Sequence, residues 1–268
     1  MTDYMFDAAW EQERARIGAG EELFDPATTH ILESIGVDEG WKCLEIGAGG
    51  GTIASWLCER VGSSGHVVAI DLDIRFIEHL DHPNLEVRQH DIASGPIDDR
   101  KFDLIHARLV LEHVPTRSEV VTQLTEMLEP GGWLVLEDID FTEQPFVPAD
   151  KYFEYPKTHA GPGLISKAIA DVLRPLGIVD LDYGRQLPAE LAKNGLEDVD
   201  ARYQSHLVTG GSARANYTLL MMEFLREQII ASKGVTDDEY QHIWDCHHDP
   251  EHLWMSPGLC SAWGRKPS

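Results

Sequence analysis

The 268-residue sequence is poor in cysteine, in basic residues and in long apolar runs. Its four cysteines are scattered, so no disulfide framework is indicated, and we expect a reduced, cytoplasmic protein. No apolar run approaches the roughly 20 residues that a membrane-spanning helix needs, and the first residues do not read as a signal peptide. These absences argue against secreted and membrane-spanning classes.

Basic residues are outnumbered by acids. Lysine and arginine total 22 against 46 aspartate and glutamate residues, and the formal net charge is −24. Such a chain repels phosphate backbones and anionic lipid surfaces, and it carries no basic stripe. We therefore expect a small-molecule substrate, with no nucleic-acid partner and no membrane partner. The oligomeric state stays open, a homodimer included.

The most informative segment is a glycine-rich turn between an apolar strand and a helix. Leu44-Glu45-Ile46 leads into Gly47-Ala48-Gly49-Gly50-Gly51, and a helix is predicted from Thr52. Glycine permits unusual backbone angles and close approach of a ligand, and the helix start offers free N–H groups. A dinucleotide fingerprint would require glycine at position 52, where this chain has threonine.

Acidic residues follow the next two predicted strands. The run 66–70 ends at Asp71, and the run 85–88 is followed by Asp91 and Ile92. A carboxylate in the position of Asp71 can accept hydrogen bonds from both ribose hydroxyls, and NAD-binding folds place an acid similarly. Further strands at 102–107 and 133–137 alternate with helices, which predicts a parallel sheet.

In order and spacing these motifs resemble those of class I S-adenosylmethionine-dependent methyltransferases, small-molecule type, as in actinobacterial members. The resemblance covers residues 40–140 closely, and residues 256–265 resemble the family's last strand. It implies an α/β fold with a doubly wound, mostly parallel seven-stranded sheet and the cofactor S-adenosyl-L-methionine, whose product is S-adenosyl-L-homocysteine. The residues that it places around the cofactor are Glu45, Gly47, Ala48, Gly49, Asp71, Leu72, Asp91, Ile92, Ala107 and Arg108.

The chain is divided here into four expected parts. These are an N-terminal helical lid (1–39), a cofactor-binding core (40–140), an inserted cap (141–180) and the remaining core (181–268). The lid carries Tyr4 and Trp10, whose aromatic faces could cover a positive sulfonium through cation–π attraction. Ordinary lid packing is the alternative for both residues.

His113 is the first candidate for a general base, because imidazole titrates near neutral pH and this histidine follows the fourth strand. A structural histidine is the alternative. Glu112 either orients His113 or faces the substrate. Glu137 and Asp138 end the fifth strand at the expected edge of the pocket and are further candidates, with solvation as their alternative role.

Two other histidine-containing segments are interpreted as structural. His106 lies near a strand end. The cluster Cys246-His247-His248-Asp249 with His252 contains metal-ligand residue types, but its spacing fits no standard zinc site. We predict a loop there and no metal.

Local signals predict several helix and strand boundaries. Asp25-Pro26 should open a second lid helix, and Thr116 and Thr236 should cap helices with their side chains. A short helix is predicted at 187–193, a strand at 198–208 and one long helix at 213–232.

Taken together, the sequence predicts methyl transfer from S-adenosylmethionine to a small molecule, with a specialised metabolite as the expected acceptor. O-, N- and C-methylation are not separated. Two alternatives stay open. One is a nicotinamide-dependent oxidoreductase, against which Thr52 and Asp91 count. The other is an S-adenosylmethionine-binding protein of pericyclase or pure binding function.

Overall fold

The computed structural model describes residues 12–141, 169–177, 179–232 and 235–268. Its centre is a seven-stranded sheet. The strands in chain order are β1 (Lys42–Ile46), β2 (His66–Asp71), β3 (Leu85–Gln89), β4 (Phe102–Arg108), β5 (Leu128–Asp140), β6 (Glu197–Gln204), and β9 (Gly258–Arg265). A separate hairpin pairs β7 (Leu207–Thr209) with β8 (Leu253–Met255).

The sheet order is β3-β2-β1-β4-β5-β9-β6. The pairs among β1 to β5 are parallel, and β9 is antiparallel to both β5 and β6. Strand β1 is buried along four of its five residues, as expected for parallel strands that helices cover on both faces. The predicted doubly wound, mostly parallel sheet of seven strands is confirmed.

Helices flank the sheet on both sides. They are α1 (Glu13–Ser34), α2 (Thr52–Val61), α3 (Arg117–Met127), α4 (Leu187–Lys193), α5 (Ala215–Phe224), α6 (Arg226–Ala231) and α7 (Asp237–His248). One core cluster packs α1 and α2 against the sheet through Ile31, Leu32 and Leu57. Another packs α3 and α4 on the opposite face through Leu124 and Leu191. Among the helices of the described ranges, none has the length and apolar character needed to cross a membrane.

The N-terminal part differs from prediction because α1 is one helix with Pro26 inside it. Buried residues lie on both sides of the proline, Leu23 and Phe24 before it and Ile31 and Leu32 after it. Their packing stabilises a continuous helix although Pro26 lacks an N–H donor.

Some of the predicted helix boundaries are confirmed and others are not. Thr236 caps α7 with a complete capping box, as predicted, whereas Thr116 makes no side-chain cap bond. The backbone of Thr116 (φ −94°, ψ 29°) is not extended, so its hydroxyl is not presented to the first turn. The helix predicted at 213–232 is interrupted at Leu225.

Two further boundaries are corrected. The strand predicted at 198–208 divides into β6, in the main sheet, and β7, which pairs with β8 instead. Residues 246–248 form the end of helix α7 rather than a loop. The helix ends at His248, two residues before Pro250, because a proline disfavours helical angles at the residue that precedes it. Of the expected cap at 141–180, residues 142–168 and 178 lie outside the described residues.

Candidate active site

A cavity of about 500 Å³, called the main cavity, lies at the carboxyl ends of the parallel strands. Residues at the ends of β1, β2, β4 and β5 and in the turn after β3 form its floor. Helices α1 and α5 and the residues around β8 form the roof. Open α/β sheets bind ligands at this edge, and the volume suits a ligand of nucleoside size.

The glycine turn forms one wall of the main cavity. Gly47 and Gly49 adopt φ angles of +66° and +57°, which side chains rarely adopt. A Cβ at Gly47 would lie 2.3 Å from Val110 Cγ2, so a larger residue would displace the loop after β4. A Cβ at Gly49 would lie 3.4 Å from Ile17 Cγ2 of α1. The turn therefore depends on glycine for both conformation and space.

Asp71 is held rigidly at the end of β2. Its Oδ2 accepts the Gly49 N–H at 2.9 Å, and its Oδ1 accepts the Asp73 N–H at 3.0 Å. Each carboxylate oxygen has two lone pairs, so capacity for a ligand hydroxyl remains. Burial raises the pKa of Asp71, and these backbone N–H groups oppose that rise.

The next wall segment comes from the turn after β3. Asp91 Oδ1 accepts the Ala93 N–H at 2.9 Å, and Ile92 is buried. Leu72, after β2, is exposed by 42% and still lines the cavity. Glu45, Ala48 and Arg108 line it as well, whereas Ala107 is buried and does not. Tyr4 and Trp10 lie outside the described residues.

Helix α1 supplies roof residues from the segment expected as the N-terminal lid, of which the sequence did not single out Gly20 or Glu21. Ile17, Gly20 and Glu21 face the glycine turn and α5. Arg16 also lines the cavity and forms a two-point ion pair with Glu13, at 2.7 and 2.8 Å. Only an amphipathic helical spacing marks this segment in the sequence, and that pattern does not reveal which groups face a ligand.

The far end of the main cavity is mostly apolar. The side chains that line it include Ile139, Phe141, Ile169, Leu173, Leu181, Tyr217, Met221, Trp254 and Met255. They come from β5, α5, β8 and the segment at 169–181, which are distant in sequence. Ile169 and Leu173 belong to the segment expected as the cap (141–180), whereas no local signal predicts that α5 and β8 line this half of the cavity.

Glu112 and His113 are the polar groups of this far end that matter for proton transfer. They lie in a short 3₁₀ turn after β4, and His113 Nε2 is 3.4 Å from Glu112 Oε1. Glu112 Oε2 accepts the Ile139 N–H at 2.9 Å. Burial raises the pKa of Glu112 to about 7, with Asp180 adding to the rise. A carboxyl of this kind can change protonation near neutral pH.

The other two predicted acid–base residues do not reach the cavity. Glu137 and Asp138 are 0% and 1% exposed, and neither lines its wall. Asp138 Oδ1 accepts the Glu112 N–H at 3.4 Å, and burial followed by the charge of Glu112 raises its pKa well above normal. Strand β5 is covered on both faces, so the end of this strand is buried rather than solvated. Their placement supports structural roles.

His106 lies beneath the cavity floor between two carboxylates, Glu45 at 2.7 Å and Glu137 at 3.0 Å. Next to it, Arg108 donates to Asp25 Oδ1 at 2.6 Å and to Thr28 Oγ1 at 2.8 Å. These contacts join α1 to the sheet. The interpretation of His106 as a structural residue agrees with its complete burial.

The histidine cluster near 247 is part of the wall behind Trp254. His247 Nδ1 is 2.8 Å from the Ile243 carbonyl, and the His247 ring lies 4.2 Å from the Trp254 ring. Within the described ranges, no group of three or more histidine, cysteine or acidic side chains could hold a metal ion.

A smaller side chamber of about 280 Å³ adjoins the far end. It shares Glu112 and His113 with the main cavity. Ion pairs line it, Arg117 with Asp180 and Arg174 with Asp182. The acid–base pair therefore stands between an apolar space and a polar one.

Comparison with known proteins identifies the family of this chain. Residues 6–200 match the family model described as methyltransferase domain. Methyltransferase str2 of Strobilurus tenacellus is 32% identical over 136 residues, which are 50% of this chain and 48% of that protein. The chain thus spans about half the length of the curated relatives it matches.

Solved structures share the fold. YcgJ of Bacillus subtilis has a TM-score of 0.60 at 14% identity, covering 91% of this chain and 99% of that one. Phosphoethanolamine N-methyltransferase 2 of Haemonchus contortus, solved with phosphomonomethylethanolamine and S-adenosylhomocysteine, has a TM-score of 0.57 at 14% identity, with 96% and 58% coverage. The matched model covers more than half of the chain, which therefore belongs to the methyltransferase domain family, with the Rossmann-like fold of class I methyltransferases.

Proposed function

We propose that this protein transfers a methyl group from S-adenosyl-L-methionine to a small-molecule acceptor. The observation that carries the proposal is one cavity with two different ends. The glycine turn and the acids Asp71 and Asp91 line one end, and an apolar surface with Glu112 and His113 lines the other. A cofactor and an acceptor could thus meet inside one enclosed space, as group transfer requires.

The residues of the first end fit the cofactor chemically. The carboxylate of Asp71 keeps acceptor capacity for the ribose hydroxyls, and Asp91 with Ile92 offers one polar and one apolar group to the adenine. The backbone of Gly47 and Gly49, free of side chains, permits close approach of the methionine part beside Glu45. When bound, the cofactor supplies a methyl group already activated by its sulfonium.

The second end excludes water and holds the acceptor. Its apolar walls favour an acceptor with a sizeable apolar part, and burial there strengthens electrostatic interactions at the reacting atoms. His113 can take the proton that an acceptor hydroxyl or amine loses, with Glu112 orienting the imidazole. Glu112, whose pKa is raised, can itself take the proton where it contacts the methyl acceptor directly.

The proposal also covers the kind of acceptor, the cellular compartment and the oligomeric state. A specialised metabolite as acceptor is supported by the resemblance of the sequence motifs to those of small-molecule methyltransferases of actinobacteria. Action in the cytoplasm is supported by the four cysteines, which are free thiols. Self-association as a homodimer would leave the cavity intact, because one chain supplies every wall described above.

The test is binding followed by turnover. Calorimetry with S-adenosylmethionine and S-adenosylhomocysteine should show binding of both, and NADH fluorescence should not respond. A labelled-methyl screen against a metabolite library should then yield a labelled product. Binding without transfer to any acceptor would favour the non-methylating alternative, and NADH binding without S-adenosylmethionine binding would overturn the proposal.

A further inference from the structure

A row of buried polar groups runs across strands β5, β4 and β1 on the face that helix α1 covers, from Thr28 to Glu45 at the main cavity, and His106 is at its centre. His106 Nδ1 lies 2.7 Å from Glu45 Oε2, and its Nε2 lies 3.0 Å from Glu137 Oε1. The side chains are 0%, 4% and 0% exposed for His106, Glu45 and Glu137. Strand pairing sets this geometry, because Glu45 on β1 is directly opposite His106 on β4.

Hydrogen counting indicates the charge of His106. An ionised carboxylate only accepts hydrogen bonds, so two carboxylates on one imidazole require a hydrogen on each ring nitrogen. Glu137 also accepts hydrogen bonds from Thr28 and Ser261, which favours its ionised form. Burial lowers the pKa of His106, but Glu45 and Glu137 raise it further, to about 9. These contacts favour the imidazolium form of the side chain.

The three groups differ in their access to the cavity. Glu45 lines the main cavity, whereas His106 and Glu137 lie behind it. Burial raises the pKa of Glu45, and the charge and hydrogen bond of His106 oppose that rise before the weaker effect of Arg108. Arg108 is itself paired with Asp25. The ionisation of Glu45 therefore depends first on His106.

We propose that His106 is a positioning residue that holds Glu45 as a carboxylate at the cavity wall, where it favours a positively charged ligand. The inference rests on the proposed function, in which that ligand is S-adenosylmethionine. The sulfonium of S-adenosylmethionine is positive, and the sulfur of S-adenosylhomocysteine is neutral. The preference for one ligand over the other therefore measures the charge at the wall.

The first experiment uses the ligand-free wild-type protein. Nitrogen-15 NMR of labelled histidine should show both ring nitrogens of His106 protonated at pH 8. A neutral imidazole there would overturn the proposal. This measurement needs no variant and no cofactor, so it decides the charge even where a His106 variant fails to fold or the cofactor assignment is wrong.

The second experiment compares affinities across pH for both ligands. In His106→Gln, Glu45 loses its cationic partner, so its pKa should rise further and more of it should be protonated than in wild type. S-adenosylmethionine affinity should fall by about tenfold more than S-adenosylhomocysteine affinity, one pKa unit of interaction, and recover toward pH 9 as Glu45 ionises. Wild type should show no such recovery. Equal, pH-independent losses for the two ligands would indicate a merely structural role and overturn the proposal.

Three further variants separate the charge of Glu45 from a general loss of binding. Glu45→Gln should show the same loss of preference at every pH, and adding His106→Gln to it should cause no further loss of preference. His66→Gln, which removes a half-exposed histidine paired with Glu86 at 3.3 Å, is the matched control and should behave as wild type. A wild-type protein that binds neither ligand would contradict the proposed function, whereas the NMR result would still decide His106.

Discussion

His113 Nε2 lies 3.4 Å from the carboxylate of Glu112, at the boundary between the main cavity and the side chamber. The Ile139 N–H and the buried Asp138 fix Glu112 from the side of the sheet. The pair thus has a rigid support behind it and a ligand space in front of it. Substitutions in this pair and around the main cavity test the arrangement.

His113→Ala should lower single-turnover methyl transfer by about 10²-fold or more if His113 is the base, with cofactor affinity nearly unchanged. The reason is the loss of a proton acceptor at the far end of the cavity, away from the glycine turn. Single-turnover rate against pH, with cofactor binding on the same samples, provides the measurement. In the variant, the fall in rate on the acid side should disappear. An unchanged rate would assign the base to Glu112 or to no residue.

Glu112→Gln should alter how stability depends on pH. The pKa of Glu112 is about 7 in the folded protein against an ordinary value of 4.5. Between these values the folded state binds more protons, so this group makes the unfolding free energy fall as pH rises from about 4.5 to 7. The variant should lose that component. Denaturant unfolding at several pH values measures it, with exposed Glu33→Gln as the control, and parallel curves for both variants would contradict the assignment.

Gly47→Ala should abolish most cofactor binding. The new Cβ would meet Val110 Cγ2 at 2.3 Å, and the backbone is at φ +66°. Gly36→Ala is a matched control, because Gly36 has φ +87° but nothing within 4 Å of a Cβ. The control should lose only the strain of about 1–2 kcal/mol in unfolding free energy. Calorimetry with S-adenosylhomocysteine would refute the prediction by giving equal affinities for the two variants.

Asp71→Ala should weaken cofactor binding by about one to two orders of magnitude, since a hydrogen bond to a charged group contributes about 1.5–3 kcal/mol. Asp38→Ala is the control. Asp38 likewise accepts a backbone N–H, from Glu39 at 2.8 Å, but it lies away from the cavity. The measurement is the dissociation constant for S-adenosylmethionine. Unchanged affinity in Asp71→Ala would remove Asp71 from the proposed ribose contact.

Thr28→Val should destabilise the docking of α1. The Thr28 hydroxyl donates to Glu137 Oε1 at 2.6 Å in a buried bond and accepts from Arg108 at 2.8 Å in a partly buried one. Loss of a buried partner of charged groups should cost about 1–3 kcal/mol of unfolding free energy. Thr29→Val, which removes bonds to the Asp25 and Pro26 carbonyls within the helix, should cost much less. Denaturant midpoints compare them, and equal midpoints would contradict the role of Thr28.

The sheet and the first end of the cavity could be predicted because their signals are local. Strands β1, β2 and β4 are short, largely apolar runs, Asp71 ends β2, and Asp91 comes two residues after β3. Parallel pairing then places every such strand end at one edge, without knowledge of side-chain packing. The placement of Glu45, Gly47 and Gly49 on one wall follows from the same logic.

The second end could not be predicted, for a physical reason. Tyr217 and Trp254 line the same end only through the packing of α5 and the β7–β8 hairpin, and no sequence spacing encodes that placement. Glu137 illustrates the converse. The sequence predicts Glu137 at the end of the fifth strand, but β5 continues to Asp140 beside β9, and Ser261 and His106 enclose Glu137. A carboxylate inside a paired strand is thus buried, whereas Asp71, the last residue of β2, lines the cavity.

The two ends of the main cavity differ in how freely their residues can be substituted. The floor residues belong to strands whose opposite faces form the core, so substitutions there disturb folding and ligand contact together. The far end draws its side chains from separate elements such as α5 and β8, which lie outside the central sheet. Substitutions at a partly exposed residue such as Met255 can therefore redirect what the far end accepts, while the scaffold beneath remains unchanged.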